Sequence, residues 1–155
     1  MNRIIYGQED LISQFVAQLV PHCARGFGPC RTMCVISEGG KLIAGLVYHN
    51  YDPEAGIIEI SGAAVDPRWL SAQVLQAMFE YPFVRCDCQM VCMRVRADNE
   101  RLLRQLATVD FVFHRLPRLF GRAHDGVVCT LTDDDWLNNR FSLRRYQQRE
   151  QKQAA

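Results

Sequence analysis

Glu59 is the residue whose type and setting point most directly to chemistry. It lies in the segment Glu59-Ile-Ser-Gly-Ala-Ala-Val65, whose apolar and small residues are typical of a buried strand. A carboxylate that faces an apolar cleft can act as a general base, for example by removing a proton from an ammonium group. The alternative is a strand glutamate that faces solvent or pairs with an arginine.

Small side chains follow Glu59 along the same segment, from Ser61 to Ala64. Small residues in a strand allow a ligand or another part of the backbone to come close. Two interpretations are open here. The strand either accommodates a ligand or packs tightly under a helix.

Histidines and cysteines are further candidates for chemistry. His49 and His114 lie in predicted strands, where either could supply an acid or a base, although each could equally be an ordinary strand residue. The seven cysteines do not form the paired Cys-x-x-Cys arrangement of zinc sites. We therefore expect reduced thiols, no bound metal and no cysteine nucleophile.

The hydrophobic pattern predicts an α+β chain of short strands and helices, which must position these residues. The predicted segments are strand 3–6, helix 8–20, strands 32–37, 42–50 and 57–65, a helix from Pro67 to near Tyr81, strand 89–97, a helix that starts at Asp98 or Asn99, strands 111–115 and 127–131, and a short helix capped within 133–135.

The segment 56–111 resembles the core of the GNAT N-acetyltransferase superfamily. The resemblance rests on a strand that ends at Val65, an Asp66-Pro67-Arg68 turn, a helix, a second strand, and a helix that opens with Asn99 and closes before Phe111. It implies a mixed central sheet with helices on both faces. It also implies that strands 57–65 and 89–97 are neighbouring, parallel and splayed apart. The resemblance covers most of residues 3–132.

The resemblance also implies an activity, in which an amine attacks the thioester of acetyl-CoA and takes its acetyl group. Acetyl-CoA would be a co-substrate, and the acceptor amine is not specified. The implied roles are Glu59 as general base, the amides of Ala64 and Val65 as ligands of the pantetheine arm, Arg68 and Ser71 as ligands of the pyrophosphate, and Asn99 as a contact to the arm near the sulfur.

Three features depart from the family's pattern. Asp110 stands where a glycine usually precedes Phe111, and Leu106 stands where many members have a tyrosine that protonates the CoA thiolate. The stretch 66–74 lacks the glycines that let backbone N–H groups hold a pyrophosphate. An alternative is therefore a catalytically inactive GNAT-fold binding or structural module. The Pro-Arg-Trp sequence at 67–69 resembles shortened loops of phage and prophage GNAT-like proteins.

Composition limits the other classes of function. A chain of 155 residues that is 48% hydrophobic is expected to fold as one domain with a sizeable core. Its net charge of +1 creates no overall field that would attract nucleic acid or a membrane. With no signal peptide and no apolar run of roughly 18 residues, we expect a cytoplasmic protein, either a monomer or a homo-oligomer.

The C-terminal segment differs from the rest in charge. Residues 140–155 hold five basic residues against the single acidic Glu150, a net charge of +4. We expect a GNAT-like domain at 1–139 and a basic extension at 140–155. The extension could bind nucleic acid or a partner, but Phe141 and Tyr146 are its only aromatic residues, and a solvated extension is the simpler interpretation.

Overall fold

A computed structural model describes residues 1–142 and 151–155 of the chain. Its strands and α-helices follow one another in the order that the hydrophobic pattern predicts. They are β1 (Arg3–Tyr6), α1 (Glu9–Leu19), β2 (Cys30–Ile36), β3 (Leu42–Asp52), β4 (Ile57–Ala64), α2 (Ala72–Glu80), β5 (Met90–Arg96), α3 (Glu100–Ala107), β6 (Val112–Leu116), β7 (Gly126–Thr132) and α4 (Asp133–Asn138).

The strands form one mixed sheet in the order β1-β2-β3-β4-β5-β7-β6. Strands β1 to β4 make an antiparallel meander. Strand β5 then joins β4 in parallel, and β7 and β6 complete the sheet in antiparallel pairs. The α+β prediction is confirmed, as is the parallel pairing of β4 with β5.

Strands β4 and β5 pair along only part of their length. The paired residues run from Ile57 to Glu59 on β4 and from Met90 to Cys92 on β5. Beyond them, β4 stays with β3 as far as Ala64, while β5 stays with β7 as far as Arg96. The two strands therefore separate at their C-terminal ends, which confirms the predicted splay.

Helices cover both faces of the sheet. On one face, Ile12 and Val16 of α1 pack against Val47. This contact is so close that a Cβ atom at Gly45 would lie 2.9 Å from Ile12 Cγ2. On the other face, α2, α3 and α4 share a larger core. There the Phe79 ring packs against Trp136, with ring centroids 4.7 Å apart.

The helix after β4 differs from its prediction at both ends. Pro67–Trp69 forms a short 3₁₀ turn, and α2 begins only at Ala72 because Ser71 caps it. At the other end the chain does not leave the helix near Tyr81, since a π-helical turn continues to Arg85.

Pro82 lies in that π-helical turn and removes one hydrogen bond of the helix. Proline has no N–H to donate to the carbonyl four residues earlier, which here belongs to Met78. The Tyr48 hydroxyl donates to that carbonyl instead, at 2.8 Å. The hydrogen-bond pattern then shifts by one residue, and the Cys86 N–H donates to the Tyr81 carbonyl at 3.0 Å.

The remaining predicted boundaries agree with the structure to within a few residues. Asn99 rather than Asp98 is the N-cap of α3. Thr132 caps α4, so that the three aspartates at 133–135 lie inside its first turn, where they complement the helix dipole. Within the described residues, no helix is long and apolar enough to cross a membrane. Part of the predicted basic extension, 143–150, lies outside the described residues.

Candidate active site

In the part of the chain that the structure describes, the gap between β4 and β5 presents backbone groups that have no strand partner. The Val65 N–H donates to the Ile43 carbonyl at 2.8 Å, which makes these two residues a hydrogen-bonded antiparallel pair. Hydrogen-bonded and non-hydrogen-bonded pairs alternate along such a ladder. Gly62 and Ala64 therefore direct their N–H and C=O groups away from β3 and into the gap. Val65 uses its own N–H within the sheet.

A cavity of about 620 Å³ occupies this gap, a size within the usual range for small-molecule sites. Its walls come from the ends of β4 and β5, the turn after β4, one side of α2, α3 and the end of α1. Of the residues predicted from sequence, Ala64, Val65 and Asn99 line the cavity, whereas Glu59, Arg68 and Ser71 are not among its lining residues.

Glu59 is buried below the cavity, on the face of the sheet that α1 covers. Only 6% of the residue is exposed. Its Oε1 atom accepts a 2.7 Å hydrogen bond from Arg94 Nε, and its Oε2 atom accepts from Arg94 Nη2 at 3.4 Å and from Asn50 Nδ2 at 3.3 Å. Arg94 does line the cavity. The carboxylate is thus held in place, and the guanidinium lies between it and the open space.

Glu59 contacts the cavity-lining Arg94, and a second set of contacts connects Glu59 with the cavity through His49 and Ser61. His49 Nε2 lies 3.3 Å from Glu59 Oε2 and 2.9 Å from the hydroxyl of Ser61, which lines the cavity. Burial lowers the pKa of His49, with Arg94 acting in the same direction and Glu59 opposing. The imidazole is therefore neutral at pH 7. Because both contacts use Nε2, the group is not a Ser-His-acid triad, in which the acid would bind Nδ1.

The thiols near this cluster are protonated at neutral pH. Burial, together with the negative charge of Glu59, raises the pKa of Cys92 to about 11. Burial also raises the pKa of Cys23. A thiol is a weak nucleophile compared with its thiolate, so this environment does not activate either cysteine.

The turn after β4 carries an internal ion pair. Arg68 donates from Nε and Nη2 to the two carboxylate oxygens of Asp66, at 3.0 and 2.7 Å. These bonds, with one from the Arg68 backbone N–H, lower the pKa of Asp66 to about 2. The Ser71 hydroxyl accepts from the Val74 N–H at 3.2 Å as the N-cap of α2. Both predicted phosphate ligands, Arg68 and Ser71, thus already have local partners.

Helix α3 contributes polar residues to the cavity, on the side opposite the turn that follows β4. Asn99 Oδ1 accepts from the Leu102 N–H at 3.3 Å, so this side chain is an N-cap that also lines the cavity. Arg101 lines the cavity too. Within residues 1–142 and 151–155, no ion pair ties Arg101 to a carboxylate, and sequence reasoning did not identify it. Its position in the first turn of a helix gives no sign that a cavity lies beside it.

The two family positions that depart in sequence have separate structural consequences. Leu106 lines the cavity with an apolar side chain. Asp110 adopts φ of 67°, the left-handed conformation that explains the usual glycine. Aspartate tolerates this conformation better than most residues. Its Oδ2 atom also accepts a 2.7 Å hydrogen bond from the buried Asn139, so the substitution is compatible with the fold.

His114 lies apart from this cluster. It is an exposed residue of the edge strand β6, and its Nε2 atom lies 3.3 Å from the Thr130 hydroxyl. Neither residue lines the cavity. Of the two histidines considered from sequence, His49 is therefore the one that the fold brings beside Glu59.

Comparison with solved structures identifies the class of fold. The chain superposes on mutant forms of the spermidine/spermine N-acetyltransferase SpeG from Vibrio cholerae with a TM-score of 0.72 at 12% identity. This match covers 89% of the present chain and 98% of the other. A dodecameric structure of the spermidine N-acetyltransferase from the same organism gives a TM-score of 0.72 at 12% identity, with coverage of 88% and 96%.

A third structure, of a probable acetyltransferase, matches with a TM-score of 0.60 at 17% identity and covers 68% of this chain and 62% of that one. No protein-family model matches the sequence, and no curated protein matches it either. The chain therefore has the GNAT acetyltransferase fold, with an α+β mixed sheet of seven strands.

Proposed function

We propose that this protein is an acetyl-CoA-dependent N-acetyltransferase in which an amine attacks the thioester directly. The observation that carries the proposal is the open gap between β4 and β5, where the backbone groups of Gly62 and Ala64 have no partner strand among the described residues and lie beside a cavity of about 620 Å³. A pantetheine arm has amide groups that can pair with such an edge as an added strand would. Val65 and Asn99 would contact the arm from opposite sides of the cavity.

Glu59 is the proposed final acceptor of the proton that the ammonium group must lose. Direct contact is not expected, because Glu59 is buried and does not line the cavity, whereas Arg94 does. The route through Ser61 and His49 needs only short transfers, with 2.9 and 3.3 Å between the heavy atoms. The ammonium proton moves to the Ser61 hydroxyl as the Ser61 proton moves to His49 Nε2, which accepts it in the Nδ1–H tautomer, and the same proton then passes from Nε2 to Glu59. The amine nitrogen then forms its bond to the carbonyl carbon, the C–S bond breaks, and the CoA thiolate leaves with the bonding pair and takes the second proton of the nitrogen.

Glu59→Gln tests this role. Glutamine keeps the shape of the side chain but cannot accept the proton. We expect turnover to fall roughly a hundredfold or more, the usual effect of losing a positioned general base, while acetyl-CoA binding is kept. The defect should shrink at high pH, where the free amine needs no base. Turnover equal to that of the wild type at neutral pH would exclude Glu59.

The phosphates of acetyl-CoA would lie between the start of α2 and the first turn of α3. Arg68 and Ser71 remain proposed ligands, but Arg68 would have to leave Asp66 to reach a phosphate. Arg101 is available without such a change. Each charged hydrogen bond contributes on the order of 1.5–3 kcal/mol. The missing glycine loop should therefore weaken binding by several orders of magnitude relative to an intact loop.

Calorimetry with acetyl-CoA and with CoA tests the proposed cofactor site. We expect weak but measurable binding, which Arg101→Ala and Arg68→Ala should both reduce, the former more strongly. Arg104→Ala is a matched control on the exposed side of α3, because this side chain is 73% exposed and contacts only Glu100 in the described ion pairs. If Arg68→Ala leaves the affinity unchanged, Arg68 is not a phosphate ligand.

A second candidate function is a GNAT-fold binding or structural module without catalysis. Two observations favour it: the acidic Asp66 lines the cavity on the side where a phosphate would pass, and the apolar Leu106 replaces the usual acid. The phage or prophage origin suggested by the Pro-Arg-Trp turn belongs to this candidate. No binding at millimolar acetyl-CoA would favour the module over the enzyme.

The proposed setting is the cytoplasm, where thiols stay reduced. All seven cysteines are unpaired in the structure.

A homo-oligomer is also proposed, since the edge strand β6 exposes Val112, Phe113 and Leu116 and one matched acetyltransferase structure is dodecameric. Sedimentation of the purified chain tests self-association, and a monomer at micromolar concentration would argue against it. The domain at 1–139 and the basic extension at 140–155 likewise remain proposals.

A further inference from the structure

The cavity extends beyond the gap onto the face of the sheet that α1 covers. There its walls are apolar and come from Leu19, Val20 and Phe120. Its polar residues on this side include Ser61, Arg94 and Arg96, and Arg96 is paired with Asp98. If the proposed function is correct, an acceptor amine that reaches the thioester from this side passes between the apolar walls and the guanidinium of Arg94.

Arg94 has donor capacity that the protein does not use. Its Nε and Nη2 atoms bind the two oxygens of Glu59, which fixes the plane of the guanidinium. The Nη1 group has no hydrogen-bond partner within residues 1–142 and 151–155, and the side chain is 48% exposed. Glu59, by contrast, is only 7% exposed. The side of this ion pair that a ligand can reach is therefore cationic.

A fixed guanidinium favours a planar anion and disfavours a cation. Arginine binds carboxylates through parallel N–H donors better than any other side chain. A polyamine with several ammonium groups would instead meet a positive charge that it cannot displace. Two of the matched structures are of spermidine or spermidine/spermine N-acetyltransferases. The charge of Arg94 predicts a different class of acceptor for the present chain.

We propose that the acceptor is an amino acid, whose carboxylate binds Arg94 and whose apolar side chain lies against Leu19, Val20 and Phe120. This inference rests on the proposed function and specifies its substrate class. The α-amino nitrogen forms an amide bond with the acetyl carbon, and the C–S bond of acetyl-CoA breaks. The thiolate of CoA leaves with the bonding pair and takes up a proton, while the proton of the ammonium group passes to Ser61.

Leucine and leucinamide form a matched pair of probes, because the amide removes the negative charge of the carboxylate while the side chain and the α-amino group are kept. Turnover with acetyl-CoA would be followed by the release of the CoA thiol and by mass spectrometry of the N-acetyl product. We expect kcat/KM for leucine to exceed that for leucinamide by tenfold or more, with spermidine lower still. Equal rates for leucine and leucinamide, or a faster rate for spermidine, would overturn the inference.

Arg94→Lys is the informative variant, because lysine keeps a positive charge beside buried Glu59 but loses the second edge of donors. We expect kcat/KM for leucine to fall tenfold or more, mainly through KM, and by a larger factor than kcat/KM for leucinamide. Arg104→Lys is the matched control, an exposed arginine for which neither rate should change. A leucine-to-leucinamide ratio that is the same in Arg94→Lys and wild type would contradict the role of Arg94.

Binding measurements separate this inference from the proposed function. Calorimetry of leucine and leucinamide would be performed on the full chain in the presence of CoA, without turnover. If no acceptor is acetylated but leucine binds in an Arg94-dependent way, the carboxylate site stands and the transferase proposal falls. If acetyl transfer occurs and leucine binds no better than leucinamide, the transferase stands and the carboxylate site falls.

Discussion

Breaking the ion pair between Glu59 and Arg94 should produce a large coupling energy in a double-mutant cycle. Arg94→Gln leaves the Glu59 carboxylate, 7% exposed, with only Asn50 and His49 as hydrogen-bond partners. Removing one partner of a fully buried pair costs about 3–5 kcal/mol. Arg94 is 48% exposed, so water can replace part of the lost interaction. We therefore expect a loss of about 2 kcal/mol.

The other two variants in this cycle should cost less. Glu59→Gln leaves a half-exposed guanidinium that water and the glutamine oxygen can still satisfy, which should cost about 1 kcal/mol. The double variant has no unpaired charge and should also lose about 1 kcal/mol. The three values imply a coupling of about 2 kcal/mol, well above the deviations of about 0.3–0.5 kcal/mol seen for independent sites.

Urea denaturation at neutral pH would give the free energy of unfolding of each variant, and equal m-values would show that the unfolding reaction is unchanged. For a chain of this size, a loss of 2 kcal/mol corresponds to a decrease in Tm of roughly 4–8 °C. Additive effects of the two single substitutions, within about 0.5 kcal/mol, would refute the reasoning. They would mean that Arg94 does not neutralise Glu59 and that the fixed guanidinium is not a property of the folded chain in solution.

Three further predictions concern other parts of the fold. The pKa of His49 is below its usual 6.5, so the unfolded chain binds the proton more readily; the free energy of unfolding should rise with pH up to about 6.5, and His49→Gln should lose this rise in urea titrations. Asp110→Ala should cost about 2 kcal/mol through its left-handed φ and the lost bond to Asn139, whereas Asp110→Asn should cost under about 1 kcal/mol; equal losses by urea denaturation would contradict this. Gly45→Ala should lower stability by about 1–3 kcal/mol through its contact with Ile12 yet leave acetyl-CoA affinity unchanged in calorimetry.

The architecture could be predicted because each element carries a local signal. Helix α1 has apolar residues at helical spacing, and β1 was predicted with the bounds that the structure shows. The end of α2 could not be predicted in the same way. Pro82 predicts the end of a helix, but in the structure the hydroxyl of Tyr48 replaces the missing hydrogen-bond donor. That contact joins residues 30 positions apart and has no local signature.

The site was harder to predict because its geometry depends on which side chains already have partners. From sequence, Arg68 is a free cation beside a helix start, whereas in the structure its guanidinium binds the carboxylate of Asp66. Nothing in the sequence distinguishes Arg94 from the other arginines, of which the chain has sixteen in total. Only the register of β4 and β5, which sets Glu59 opposite Cys92, places Arg94 beside that carboxylate.

The two interpretations of Glu59 that the sequence left open are compatible in the folded chain. Glu59 pairs with an arginine, and it also contacts His49, which leads to the cavity through Ser61. The ion pair holds the carboxylate in place. The neutral histidine between Glu59 and the cavity can hold the proton first. Catalysis would then depend on His49 at least as much as on Glu59, so that loss of either residue should reduce turnover while Arg94→Lys should chiefly raise KM for the acceptor.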